Sequence, residues 1–181
     1  MCGIAGVLGG TEPVQPLIDA LRHRGPDGVR VEQVRGGAVG HARLSIIDLE
    51  CGWQPLHAAG STVIGNGEIY NYPELIAEHG LECATGSDFE PLLHLYAREG
   101  ERAFGRLRGM YAFCLIGGDG RTWLVRDPFG IKPLYVAGSR FASEPRALGT
   151  AALGREAAEE LLTLNYRLSG REALRPGEVR E

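Results

Sequence analysis

The chain has 181 residues, 44% of them hydrophobic and 23% charged, and a formal net charge of −4. That length is enough for one domain with its own core, and the composition is that of a globular chain, not a disordered or fibrous one. The negative balance argues against a general nucleic-acid binder, no apolar run reaches membrane-spanning length, and no signal peptide opens the chain, so a cytoplasmic location is expected.

Residues 3–8 alternate small and branched side chains and predict a buried strand. Val14, Leu17, Ile18 and Leu21 fall at i, i+3, i+4 and i+7, which predicts an amphipathic helix behind Thr11 and Pro13. It stops in the turn-rich His23-Arg24-Gly25-Pro26-Asp27-Gly28. Strands are predicted over 29–34 and 38–44, an irregular stretch over 45–59, and a short strand over 62–64 that runs into Gly65-Asn66-Gly67-Glu68. Two helix starts follow. Asn71 with Glu74 and Ser87 with Glu90 have capping-box spacing, and Pro91 is better tolerated if Asp88 is the cap of the second helix. Residues 110–116 and 122–126 predict one hairpin, and 134–137 with 140–142 another, turning at Gly138-Ser139. A last helix is predicted over 157–164. The strands thus come in two batches separated by helices, and each batch is expected to form its own sheet.

The four cysteines (Cys2, Cys51, Cys83, Cys114) and five histidines are scattered. Without C-x-x-C or H-E-x-x-H spacing, no disulfide framework, zinc site or cofactor is expected. Cys2 follows the initiator methionine. As residue one it would carry a nucleophilic thiol beside its own α-amine, which titrates near roughly 7.7–8.0 in peptides and suits proton shuttling. The other reading is a small core residue in the first strand. Asn66 and Gly67 could offer a side-chain amide and an unobstructed backbone N–H to an oxyanion, or could be a plain Asn-Gly turn. Arg43 could grip a carboxylate, and Glu68 with Asp88 an ammonium group; singly, each is also an ordinary surface or capping charge.

Taken in order, MCGIAGVLG, RHRGPDG, GHARLSIIDL, GWQPLH, NGEIYNYPEL, GSDFEPLLHLY, LRGMYAFCLI, VRDPFGIKPLY and FASEPRAL resemble the glutaminase domain of asparagine synthetases. These are class II glutamine amidotransferases of the N-terminal-nucleophile type. The resemblance implies an α+β fold, a four-layer αββα sandwich, with one glutaminase domain over residues 1–181. It implies removal of Met1, attack of Cys2 on the glutamine side-chain amide, and a γ-glutamyl thioester. By the same resemblance Asn66 and Gly67 form the oxyanion hole, while Arg43, Glu68 and Asp88 bind the α-carboxylate and α-ammonium groups of L-glutamine. Arg24 is expected to organise a loop over the site and Lys132 to be structural. Phe89 and Pro91 depart from the family's usual residues. No S-G-G-x-D-S loop of an ATP-pyrophosphatase domain occurs, so the ammonia is expected to serve a separate ATP-dependent, amide-forming partner. Two rival expectations are a non-catalytic docking module and hydrolysis of a different amide.

Overall fold

The computed structural model describes residues 1–149, and the helix predicted over 157–164 lies outside them. In chain order the elements are β1 (Gly3–Leu8), α1 (Gln15–Asp19), β2 (Gly28–Val34), β3 (Gly37–Arg43), β4 (Leu56–Ala58), β5 (Ser61–Ile69), α2 (Tyr72–His79), α3 (Glu90–Glu99), β6 (Gly109–Ile116), β7 (Thr122–Arg126), β8 (Tyr135–Ala137) and β9 (Arg140–Ala142). A five-stranded sheet has the order β2-β3-β1-β9-β8, and a four-stranded sheet the order β4-β5-β6-β7. Every pairing is antiparallel.

Two sheets form, as expected, but each mixes the two batches of strands. β5 keeps β4 on one side and on the other pairs with β6, from the later batch, from Thr62↔Ile116 to Ile69↔Gly109, while β9 inserts beside β1. Alternation says which face of a strand is buried. It does not say which strand lies alongside.

The alternation does give the layers. In β1, Ala5 and Val7 pack with Leu17 and Ile18 of α1, while Ile4 and Leu8 face the other way, toward Ile64, Ala112 and Leu124 of the second sheet. In the second sheet Val63, Phe113, Leu115, Trp123 and Val125 pack against Leu92, Leu93 and Tyr96 of α3. Three apolar layers therefore separate four structural ones: helix, sheet, sheet, helix. This is the αββα arrangement.

Locally, several predicted signals act differently. The four apolar residues of the first helix are all buried, but regular helix covers only α1 and passes into a 3₁₀ turn at Arg22–Arg24. Asn71 does precede α2, yet its side chain leaves the cap: Oδ1 accepts from the Arg108 N–H (2.8 Å) and Nδ2 donates to the Arg106 carbonyl (3.0 Å). Phe89, not Ser87 or Asp88, is the residue before α3, so Pro91 falls in its first turn, where no intrahelical donor is required. The stretch expected to be irregular contains β4. Asn66-Gly67 is no turn; it lies inside the nine-residue β5.

Candidate active site

One set of alternating positions runs from the core to the surface. On β5, Ile64 faces the other sheet, and the next residues on that face are Asn66 and Glu68. On β3, Val39 is followed on the same face by His41 and Arg43. On β1, Ile4 is preceded by Cys2. The apolar layer between the sheets thus gives way to a cleft of about 110 Å³, open to solvent, with Cys2, His41, Arg43, Asn66, Gly67, Glu68, Asp88 and Lys132 among its lining residues. All six residues singled out from the sequence meet there.

Cys2 is held from two sides. Its Sγ accepts from the Leu44 N–H at 3.3 Å and lies 3.4 Å from the Leu44 carbonyl, at the end of β3. Arg24 Nε donates to the Cys2 carbonyl at 3.0 Å, and Arg24 Nη1 pairs with Glu144 at 2.8 Å. The expected loop-organising arginine thus fixes the backbone of Cys2 itself. Met1 also lines the cleft, and Lys132 Nζ donates to its Sδ at 2.9 Å. The side chain of Lys132 is therefore part of the site wall. Burial, and then the Arg24 guanidinium, hold its ammonium below the ordinary lysine range.

Asn66 is 1% exposed and its Nδ2 has no hydrogen-bond partner. A buried amide donor left open is costly, on the order of 1–3 kcal/mol, so it marks a place kept for a ligand acceptor or water. Gly67 follows with φ +134°, and a Cβ there would sit 2.0 Å from the Met110 carbonyl oxygen. Only glycine fits, and its backbone stays accessible along the cleft. A Cβ on Gly65 would lie 2.2 Å from the Phe89 ring, so the departing Phe89 fills the hollow that this glycine leaves.

The charges sit on different elements. Arg43, only 3% exposed, lies over the Trp53 ring with its guanidinium carbon 4.7 Å from the centroid, and donates from Nη2 to the Asp48 carbonyl at 2.6 Å. Among the described residues no carboxylate forms an ion pair with it, and the exposed Asp27 interacts with it only at longer range. Asp88 Oδ2 accepts from the Ile69 N–H at 2.7 Å. Burial outweighs that bond and, with Glu68 nearby, raises the Asp88 carboxyl to about 6. An unpaired guanidinium and two close acidic groups thus border one cleft, a pattern suited to an α-amino acid.

Sequence reasoning missed His41, Trp53 and Gln54. His41 has both ring nitrogens buried without partners, and burial together with Arg43 and Arg30 lowers it to about 3. Gln54 Oε1 accepts from the Gly65 N–H at 2.5 Å and braces β5. Trp53 and Gln54 come from the stretch expected to be irregular. The only sequence signal for them was the GWQPLH motif.

Residues 1–175 match the family model described as "Glutamine amidotransferase domain". The chain belongs to this family. Within it, the amidotransferase domain is similar to asparagine synthetase [glutamine-hydrolyzing] 1 of Bacillus subtilis, at 39% identity over 92% of the chain and 30% of that protein. It is also 41% identical to the Zea mays asparagine synthetase over 82% of the chain and 28% of that protein, and 39% identical to asparagine synthetase B of Escherichia coli over 75% and 27%. The chain thus spans less than a third of these relatives. Its fold matches that of the glutamine PRPP amidotransferase of B. subtilis with a TM-score of 0.67 over 82% of the chain and 43% of that protein, at 24% identity. The amidotransferase domain is therefore class II, with an N-terminal-nucleophile fold, related to the N-terminal domains of asparagine synthetases. Among the described residues no helix is long and apolar enough to cross a membrane.

Proposed function

We propose that this domain hydrolyses L-glutamine to glutamate and ammonia through Cys2. The observation that carries the reading is the meeting, in one cleft, of a held thiol, an open amide donor at Asn66, and charges of both signs. The Cys2 thiolate attacks the side-chain carbonyl carbon, and the oxyanion is received by Asn66 Nδ2 and the Gly67 N–H. The carbon–nitrogen bond then breaks, the leaving nitrogen takes a proton, and ammonia departs from a γ-glutamyl thioester. Water attacks the thioester, giving glutamate and the free thiol.

The proton carrier is the α-amine of Cys2 once Met1 is removed. His41 is a poor substitute. Held near 3, it stays neutral at cellular pH and supplies no imidazolium to stabilise a thiolate. Arg43 receives the substrate α-carboxylate, while Glu68 and Asp88 receive its ammonium. The ammonia serves an ATP-dependent amide-forming partner like the remainder of an asparagine synthetase, on another chain or elsewhere in a longer one, in the cytoplasm.

Arg43→Ala tests the substrate. Its kcat/KM for glutamine is expected to fall at least 100-fold, with smaller loss on an amide that lacks the α-carboxylate. An unchanged rate on glutamine would point to a different amide. With Met1 retained, the nitrogen of Cys2 is a peptide nitrogen, and that form favours the second reading, a glutamine-binding or docking module.

A further inference from the structure

Away from the cleft floor, Cys83, Glu90 and His94 place their thiol, carboxylate and ring ligand atoms within 4.8 Å of one another. Helix α3 puts Glu90 and His94 on one face by their i, i+4 spacing, and the chain before α3 brings Cys83 over them. The order C-x₆-E-x₃-H fits no common zinc spacing, which is why scattered cysteines and histidines gave no expectation of a site.

The carboxylate is prepared for a further bond. Glu90 Oε1 accepts from the Ala84 N–H at 2.6 Å, and Oε2 accepts from the Thr85 N–H at 2.7 Å and from the Thr85 hydroxyl. A carboxylate has about four lone-pair sites, so one remains, on Oε1. Opposite that oxygen, at 3.7 Å, lies His94 Nε2, a buried atom within ion-pair range of the carboxylate but with no hydrogen-bond partner. The gap is too long for a hydrogen bond. It matches the roughly 3.3–3.8 Å that separates two ligand atoms bound tetrahedrally at about 2.0–2.3 Å. Cys83 is a free, half-buried thiol. The neighbouring N–H groups hold the carboxylate as outer partners hold a metal ligand.

We propose that Cys83, Glu90 and His94 bind a divalent cation of the zinc type, with water in the fourth position. Binding displaces the thiol proton of Cys83 and ties the segment before α3 to the helix. Ser87 and Asp88 lie between the ligands, so the ion clamps the stretch that carries the cleft's buried acid. The site stands whether or not the domain hydrolyses glutamine.

The test uses the full chain, freed of metal with a chelator, as wild type, Cys83→Ser, His94→Gln and a Cys51→Ser control. With Zn²⁺, wild type and Cys51→Ser are expected to bind one equivalent more than the other two. Their Tm is expected to rise by about 5–10 °C at 100-fold excess over Kd. With Co²⁺, a thiolate-to-metal charge-transfer band is expected that disappears in Cys83→Ser. Equal stoichiometry in all four proteins would overturn the proposal, as would a band that persists in Cys83→Ser. If Cys83→Ser does not fold, His94→Gln alone decides by the same stoichiometry.

Discussion

The two ends of the space between the sheets are made by the same strands, one alternate position apart. At the closed end Ile4, Val39 and Ile64 are buried against one another's layer. At the open end the same faces present Cys2, His41, Arg43, Asn66 and Glu68. The closed end is held by contact. The open end is held by hydrogen bonds at Cys2, Arg43 and Asp88, while Asn66 Nδ2 and the His41 ring nitrogens are buried without partners and are placed by their strands. Strand register carries rigidity from the apolar end to the polar one.

Substitutions two residues apart on β5 are expected to separate the two ends most strongly. Asn66→Ala is expected to lower kcat by about 100- to 1,000-fold, with little change in Tm because the donor it removes is unpaired. Ile64→Ala, on the same face, is expected to cost about 2–5 kcal/mol of stability. Steady-state kinetics and thermal melts of both variants check the pair. A large loss of stability in Asn66→Ala would show that its amide serves the core.

Asp88 gives the next effect. Its carboxyl stands at about 6 in the empty cleft against 3.8 ordinarily. A raised folded-state value means the folded chain holds its proton more tightly. The resulting stability is fully present below about 3.8 and is lost as pH rises through about 6. Binding of an ammonium needs the opposite form. Accordingly kcat/KM for glutamine is expected to fall by a further factor of about ten per pH unit below about 6, beyond the fall set by the α-amine of Cys2, and Asp88→Asn is expected to lower kcat/KM at pH 7 and to remove this added limb. A pH profile of the two proteins measures it. An unchanged limb in Asp88→Asn would assign it to another group.

Phe89 gives the smallest effect. Phe89→Leu shrinks the ring seated at Gly65 and is expected to raise KM for glutamine a few-fold with kcat nearly kept. Initial-rate measurements distinguish this from a loss of kcat, which would place the ring closer to the reacting atoms.

What the sequence made legible was local or carried by a motif. β1, the two hairpins and the buried face of the first helix could be read from alternation and turn residues. The six residues that meet in the cleft could be picked out only together, because Asn66-Gly67 alone resembles a turn and Asp88 alone a cap. The rest depended on distant parts of the chain. The pairing of β5 with β6 turned Asn66-Gly67 into strand. The bonds of Asn71 to the backbone at 106 and 108 took it out of its capping box. The cluster at Cys83 needed the fold-back before α3, which no spacing along the chain encodes.

Intact mass after treatment with a glutamine-analogue electrophile shows whether Cys2 is the nucleophile of a glutamine-binding cleft. The expected result is a protein without Met1 that gains one label, located at Cys2 and suppressed by excess glutamine. Retained Met1 with no label, or a label at Cys51 that glutamine does not suppress, would contradict it.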